Sequence, residues 1–260
     1  MPPDPSESLL DIGSGTLVYK TKHPTNPNFY AAKKIFIEKD TQKKCSHEYE
    51  MHNKVSYIPG IPDIYAKTNN SITYQLLGHS LKSFLDSQEH SFSLKNILFI
   101  GISIIKILKQ LHTETNIIHR DIKPSNILYS RDMKTIFLID FGISCVQSSQ
   151  NPTKEPFKGT IRYASLNAHS ELPQLYKDDL ESLGYVLLDL YYKKLPWDFQ
   201  TSSSEIHQTK ISFFKKKYHK KYFKNKEKIF QKYFEIQRNP KTKKNIYNEL
   251  IFLLEKKWKS

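Results

Sequence analysis

Hydrophobic and polar residues first follow the pattern of strands and then that of helices. Residues 9–20 place apolar side chains around a Gly-x-Gly turn at positions 13–15, which predicts two strands joined as a hairpin. Further strands are predicted around residues 30–33 and over 71–77, with a helix over about 42–55 between them. The start of the chain is therefore expected to be a small β-rich unit with one helix.

After residue 78 the apolar positions take a helical spacing. Ser93 is suited to cap a helix, because its hydroxyl can accept a hydrogen bond from the first turn, and apolar residues recur at intervals of three and four from Leu94 to Leu111. Two short apolar runs then enclose the polar stretch 119–126, as expected for a loop held at both ends. This helix is expected to be scaffold that delivers the loop to the functional site.

The polar stretch 119–126 reads His-Arg-Asp-Ile-Lys-Pro-Ser-Asn and resembles the catalytic loop of protein kinases. Phosphoryl transfer depends on positioning and charge neutralisation, and here Asp121 can accept the hydroxyl proton of a substrate while Lys123 holds the γ-phosphate of ATP. Asn126 and Asp140, the latter in Asp-Phe-Gly, offer the oxygen ligands that Mg²⁺ prefers. Both motifs occur in order, with Lys and Asn at the expected positions, which makes a chance match a poor explanation.

The N-terminal hairpin is the candidate phosphate-binding flap. Glycines let backbone amides approach phosphates, but Val18 follows Gly15 two residues earlier than in the full Gly-x-Gly-x-x-Gly-x-Val flap, and the third glycine is missing. A shortened flap is therefore expected. The residues predicted to contact ATP here are Ile12, Gly13, Ser14, Gly15, Thr16, Leu17, Val18, Tyr19 and Lys20.

A lysine and a glutamate are expected to complete the nucleotide site. Residues 30–33, Tyr-Ala-Ala-Lys, resemble the strand motif Val-Ala-Ile-Lys, so Lys33 is expected to meet the α- and β-phosphates. Glu48 is the predicted ion-pair partner of Lys33, because the apolar residues three and seven positions later continue its helical face. Glu50 is the alternative partner.

The strand that ends at Gly78 is expected to lead into a hinge at residues 75–78 between two lobes. Adenine bonds to backbone groups in such a hinge, and Leu77 is the predicted contact. Tyr74 lies just before it, where it either narrows the pocket behind adenine or is an ordinary strand residue.

The composition favours a protein of a reducing, intracellular compartment, nuclear or cytoplasmic. Its 38% hydrophobic content can build a large core, and two cysteines, Cys45 and Cys145, cannot make a disulfide framework. The first residues lack the apolar core of a signal peptide, and the most apolar stretch, 97–108, is too short to span a membrane.

The positive charge is concentrated late in the chain. The net charge is +14, and residues 201–260 hold 17 Lys plus Arg against 5 Asp plus Glu. The lysine-rich run 215–228 is interpreted either as a contact surface for acidic, phosphorylated or nucleic-acid partners, or as a solvated helix face.

Several further segments resemble signatures of the casein kinase 1 family of protein kinases. One is distinctive, because Ser-Leu-Asn at 165–167 stands where most protein kinases have Ala-Pro-Glu and this family has Ser-Ile-Asn. The resemblance extends from about residue 12 to 197 and implies a short form without a C-terminal tail. The segments that carry it are 76–81, 159–167, 178–187 and 195–197.

The resemblance implies an α+β, two-lobed protein-kinase fold, with a small lobe in residues 1–77 and a larger, mainly helical lobe in 79–260. It implies a serine/threonine kinase that uses ATP and Mg²⁺, since lysine two positions after the base marks that specificity. Asp179 is then expected to brace the catalytic loop, and Thr160 to lie near Asp121 beside the acceptor hydroxyl.

The resemblance also implies substrates that are acidic or already phosphorylated. They are recognised by a basic pocket beside the activation segment, which is the stretch between Asp-Phe-Gly at 140–142 and Ser-Leu-Asn at 165–167. Arg162 matches one residue of that pocket, and a guanidinium suits phosphate because it can pair bidentately. Lys154, Lys158 and Lys210 are looser candidates, and the first two are equally explained by loop solubility.

The expected protein is a constitutively active monomer that requires no nucleic acid, with DNA repair and cell-cycle control among the processes that the resemblance suggests. The alternative is a pseudokinase scaffold that docks acidic partners. The shortened flap favours the scaffold, and the complete catalytic set opposes it.

Overall fold

The computed structural model of the protein describes residues 7–13, 15–87, 92–147, 154–215, 220–223, 228–240 and 245–259. Among these residues, five strands form one antiparallel sheet in the order β1-β2-β3-β5-β4, and helix α1 packs against β3 and β5. The bounds are β1 Ser8–Gly13, β2 Thr16–Lys22, β3 Tyr30–Phe36, α1 Thr41–Asn53, β4 Ile64–Lys67 and β5 Ser71–Gln75.

The chain after β5 is mainly helical. The helices are α2 Leu81–Asp86, α3 Leu94–Thr115, α4 Leu166–His169, α5 Tyr176–Tyr192, α6 Ser203–Phe213, α7 Lys228–Arg238 and α8 Ile246–Trp258. Two small antiparallel pairs join β6 Ile117–Ile118 to β9 Cys145–Val146, and β7 Ile127–Tyr129 to β8 Ile136–Leu138. The protein thus has an α+β fold of two lobes, and the predicted fold class is confirmed.

The elements lie close to their predicted positions. Ser93 caps α3 as predicted, because its hydroxyl accepts the backbone N–H of Asn96 at 3.1 Å. The helix expected over about 42–55 is α1, the strand expected at 30–33 extends to Phe36, and the strand expected over 71–77 ends at Gln75.

Helices α3 and α5 form the centre of the helical lobe. Most apolar positions of α3 are buried, and α5 is buried continuously from Asp178 to Leu190. The two helices pack against each other, while α8 packs on α3 and α7 packs on α5. Each fully buried Leu or Ile contributes about 1.5–3 kcal/mol relative to an exposed one, so this pair is a rigid support for the loops above it.

No helix in the described ranges is long and apolar enough to cross a membrane. Of the lysine-rich run 215–228, positions 216–219 and 224–227 lie outside the described residues, so both interpretations of that run stay predictions.

Candidate active site

The loop between β6 and β7 is held by a buried carboxylate beneath it. Asp179 of α5 accepts the backbone N–H of His119 at 2.7 Å and that of Arg120 at 2.8 Å. His112 of α3 lies 2.9 Å from the same carboxylate. Burial by itself favours the neutral acid, yet the bonds and charge of His112 and His119 lower the pKa of Asp179. The predicted brace is therefore present, as an ionised group.

Asp121 is surrounded by the groups expected around a catalytic base. Lys123 Nζ lies 2.6 Å from its Oδ2, and the hydroxyl of Thr160 donates to its Oδ1 at 2.7 Å. The side-chain amide of Asn126 donates to the backbone carbonyl of Asp121 at 2.9 Å. The same amide lies 3.2 Å from Asp121 Oδ2, so three groups orient the carboxylate, and Thr160 lies near Asp121 as the resemblance implies.

The candidate metal ligands, Asn126 and Asp140, are brought together by the backbone. The N–H of Ile139 donates to the carbonyl of Asn126 at 3.0 Å. Asp140 has a φ of 70°, a left-handed conformation that is costly for a residue other than glycine, and Arg120 beside the base has a φ of 69°. Such backbone strain is concentrated at functional sites, and here it occurs in two adjacent loops of the helical lobe.

The lysine that forms the predicted ion pair is Lys34, so the expectation for Lys33 was wrong. Lys34 Nζ lies 2.8 Å from Glu48 Oε2 and 2.9 Å from Asp140 Oδ1. Lys33 lies on the opposite face of β3, with its Nζ 3.5 Å from a carboxylate oxygen of Glu7. The physical reason is that neighbouring side chains on a strand point to opposite faces, so a shift of one residue in reading the motif selects the wrong face.

Glu48, the predicted glutamate of the ion pair, pairs with Lys34 rather than with Lys33. Glu48 is buried and accepts two bonds from Lys34, whereas Glu50 is exposed on the surface of α1. Burial opposes a charged ammonium, but Asp140 and Glu48 outweigh it and raise the pKa of Lys34. Burial likewise opposes a charged Asp140, yet Lys34 lowers the pKa of that carboxyl to about 2. Both groups are therefore charged at neutral pH, as phosphate and metal binding require.

A comparison with protein families agrees with this geometry. The family model described as the protein kinase domain matches residues 6–259, nearly the whole chain. The chain belongs to the protein kinase family.

The residues of this kinase fit a bound magnesium ion. One carboxylate oxygen of Asp140 is occupied by Lys34, and among the described residues neither its second oxygen nor the side-chain carbonyl of Asn126 accepts a hydrogen bond. Two hard oxygen donors, with phosphates and waters filling the other positions, suit Mg²⁺. In the described part of the chain no group of three or more His, Cys, Asp or Glu residues could hold a metal by itself.

The flap of the kinase is short and is tied to the segment before α1. Gly15 has a φ of 71°, and its carbonyl accepts the N–H of Ile37 at 3.0 Å. This positive φ favours glycine, and a Cβ at Gly15 would also force the exposed side chain of Glu38 to move. Ser14, the residue predicted at the tip, lies outside the described residues.

The predicted ATP contacts of the flap divide between two faces. Val18 is paired with Lys34 across the sheet, so those two side chains share the face of the cleft. Tyr19 is paired with Lys33, and its side chain points the other way together with that of Leu17. Thr16 and Lys20 alternate with these and lie on the side of Val18, while Ile12 and Gly13 end β1.

The hinge region contains a residue whose role the sequence left open. Tyr74 near the end of β5 donates its hydroxyl to Glu48 Oε1 at 2.8 Å. Leu77 lies in the connection between β5 and α2. Gly78 packs so closely on the segment after β7 that a Cβ would lie 2.8 Å from the carbonyl oxygen of Ser130. Tyr74 thus holds the glutamate that in turn holds Lys34, a contact across 26 positions that no local pattern reveals.

A second contact missed from the sequence joins the catalytic loop to the activation segment. The guanidinium of Arg120 donates from Nε to the carbonyl of Ile143 at 2.6 Å, and its Nη1 pairs with the carboxylate of Glu155. The side chain of Arg120 is only 8% exposed, so Glu155 neutralises a nearly buried charge.

The candidates for a substrate-anion pocket are occupied or scattered. Arg162 pairs with the carboxylates of Asp189 and Asp198. Lys210 is fully buried, and its ammonium donates to the carbonyls of Ile161 at 2.9 Å and Ala164 at 2.6 Å, so it braces the activation segment. Lys154 and Lys158 are exposed, in agreement with their solubility interpretation.

Proposed function

We propose that this protein kinase is a serine/threonine kinase of the casein kinase 1 type that transfers the γ-phosphoryl group of Mg-ATP to protein substrates. The observation that carries the proposal is the ammonium of Lys34, held between Glu48 and Asp140 across the cleft from Asp121. Phosphoryl transfer needs little covalent help, so such a preorganised set of charges is the main requirement.

Each residue of the site has a role in that reaction. Asp121 orients the acceptor hydroxyl and takes its proton, Lys123 neutralises charge on the transferred group, and Lys34 binds the α- and β-phosphates. Asn126 and Asp140 would hold Mg²⁺, which would supply positive charge to offset that of the phosphates.

Serine/threonine specificity is supported by the pair Lys123 and Thr160 on either side of the Asp121 carboxylate. The casein kinase 1 type is supported by Ser165-Leu166-Asn167 in place of Ala-Pro-Glu. Ser165 caps α4, with its hydroxyl 3.2 Å from the N–H of Ala168, and Asn167 donates to Asp178 at 3.2 Å. A preference for acidic proteins is supported by the net charge of +14, which attracts acidic chains at long range.

The test is transfer of labelled phosphate from Mg-ATP to casein, comparing the wild type with Asp121→Asn. We expect transfer by the wild type and a loss of at least about a hundredfold in the variant, because the base is removed while its shape is kept. Retained ATP binding without transfer above that of the variant would favour the scaffold alternative and point to the short flap.

A further inference from the structure

Arg162 lies shortly before α4, between two carboxylates that belong to different parts of the fold. Asp189 comes from α5, and Asp198 from the turn that follows Trp197. The Nε and Nη2 groups of Arg162 donate to the two oxygens of Asp198 at 2.8 and 2.7 Å, a bidentate pair. Nη2 also donates to Asp189 at 2.8 Å.

The guanidinium has no donor left for a ligand. A guanidinium carries five N–H groups. Nε and one Nη2 proton go to Asp198, the other Nη2 proton and one from Nη1 go to Asp189, and the last Nη1 proton is directed at the hydroxyl oxygen of Tyr163. Any anion that reaches Arg162 must therefore displace an acceptor that is already there.

The two carboxylates differ in how they can be displaced. Asp189 is 3% exposed and also accepts the hydroxyl of Tyr163 at 2.6 Å, so it belongs to the core. Asp198 is 21% exposed and sits at the solvent side, where the N–H of Leu195 steadies one oxygen at 2.7 Å. Asp198 thus offers Arg162 two acceptor oxygens for a bidentate pair, which a tetrahedral phosphate could also offer.

We propose that Asp198 is a specificity-determining residue, a built-in anion that occupies the arginine that would otherwise read a phosphate on the substrate. This inference rests on the proposed function, since it concerns which protein substrates the kinase selects. The neighbouring basic group cannot replace Arg162, because Lys210 is buried and donates to backbone carbonyls and to His169. In the wild type, Arg162 therefore gives a priming phosphate no advantage.

The experiment compares the wild type with Asp198→Asn on matched peptides that carry serine or phosphoserine upstream of the acceptor. Asparagine keeps the size and an acceptor for Leu195 but removes the charge. We expect a kcat/KM ratio of primed to unprimed peptide within about threefold for the wild type, rising by about tenfold or more in the variant through a lower KM. Asp86→Asn, on the exposed end of α2, removes the same charge elsewhere and should leave the wild-type ratio unchanged.

A binding measurement separates this inference from the proposed function. Free phosphoserine should raise the melting temperature of Asp198→Asn and not that of the wild type, and the double variant with Arg162→Gln should lose the gain. If neither protein transfers phosphate but free phosphoserine raises the melting temperature of Asp198→Asn alone, the kinase proposal fails and the anion exchange at Arg162 stands. Two results would overturn the role of Asp198. One is a strong preference of the wild type for the primed peptide. The other is a folded Asp198→Asn protein that gains neither a higher melting temperature with phosphoserine nor a preference for the primed peptide. Asp198→Glu, which keeps the charge, should behave as the wild type. Asp198→Ser, which removes the charge with a smaller side chain, replaces Asp198→Asn if the asparagine variant proves unstable.

Discussion

Adjacent lysines on β3 have different environments because a strand sends neighbouring side chains to opposite faces. Lys34 is enclosed by Glu48 and Asp140, whereas Lys33, on the other face, pairs at 3.5 Å with Glu7, its one ion-pair partner among the described residues. At the scale of single residues, a shift of one residue along β3 therefore decides which lysine lies in the cleft. Tyr74 adds a second individual contribution, since its hydroxyl is bonded to the same glutamate.

Replacing each lysine by methionine should identify the phosphate-binding one. We expect Lys34→Met to lower kcat/KM by at least about a hundredfold, since the only charge that bridges α1 and Asp140 among the described residues is lost. Lys33→Met should stay within about threefold of the wild type, because it removes an ion pair on the outer face. The two variants differ by one position, so steady-state kinetics on the same peptide compares them directly. Equal losses, or the reverse order, would contradict the assignment.

The hydroxyl of Tyr74 should contribute to activity through Glu48. Tyr74→Phe removes one hydrogen bond to a charged group, which is worth about 1.5–3 kcal/mol, so kcat/KM should fall by roughly tenfold or more. Tyr49→Phe is the control, because Tyr49 lies next to Glu48 on α1 and its hydroxyl makes no hydrogen bond within the described ranges. Indistinguishable kinetics for the two variants would show that Glu48 needs no support from β5.

At the scale of elements, the catalytic loop is held by its neighbours. Asp179 of α5 binds its backbone from below, and the side chain of Arg120 reaches the activation segment at Glu155. Because that carboxylate is part of the chain, the link between the two segments needs no added phosphate. This agrees with the expectation of constitutive activity, which remains a prediction.

Glu155→Gln should lower kcat of enzyme that carries no phosphate. The change leaves the nearly buried guanidinium of Arg120 without its counter-charge, and we expect a decrease of about tenfold or more. Glu171→Gln, an exposed residue whose backbone carbonyl accepts the N–H of Glu155, is the matched control and should retain wild-type kcat. Enzyme treated with a phosphatase should stay active; a loss of activity on that treatment would show that a phosphate, rather than Glu155, orders the segment.

At the scale of the whole molecule, burial has left histidines that resist protonation in the folded state. His52 packs between Tyr74 and Phe141, with Nε2 2.6 Å from the carbonyl of Pro62. Burial lowers the pKa of His52 to about 4, against about 6.5 in the unfolded chain. Asp178 behaves in the opposite sense, since burial raises the pKa of its carboxyl to about 7.

Acid should therefore destabilise the kinase through His52. Between pH 6.5 and 4 the unfolded chain binds a proton that the folded one does not, so the free energy of unfolding falls as pH decreases, by up to about 3 kcal/mol from this residue. Denaturant unfolding of the wild type and of His52→Gln over that range measures it. The difference between the two curves should shrink towards low pH, because only the wild type loses the contribution of His52 there. Asp178 titrates in both proteins, so its effect cancels. A difference independent of pH would contradict this origin.

Much of the fold was predictable from local pattern. The hairpin, α1, the capped helix α3 and the enclosed loop 119–126 follow from apolar spacing and from residues with defined conformational preferences, and these effects act over a few positions of chain. The candidate catalytic residues are likewise recognisable from the sequence alone, because the loop 119–126 and Asp-Phe-Gly at 140–142 are each short and continuous.

Only the tertiary structure decided the partners of individual side chains. Two alanines followed by two lysines allow either register of the strand motif, and the packing of α1 against β3 selects Lys34. Arg162 looks like an anion receptor in the sequence, but the turn after Trp197 brings Asp198 against it from 36 positions away. Chain spacing determines which elements form, whereas contacts between distant elements determine which charges are neutralised. Here those contacts place Lys34 between two carboxylates of the cleft and leave Arg162 fully paired.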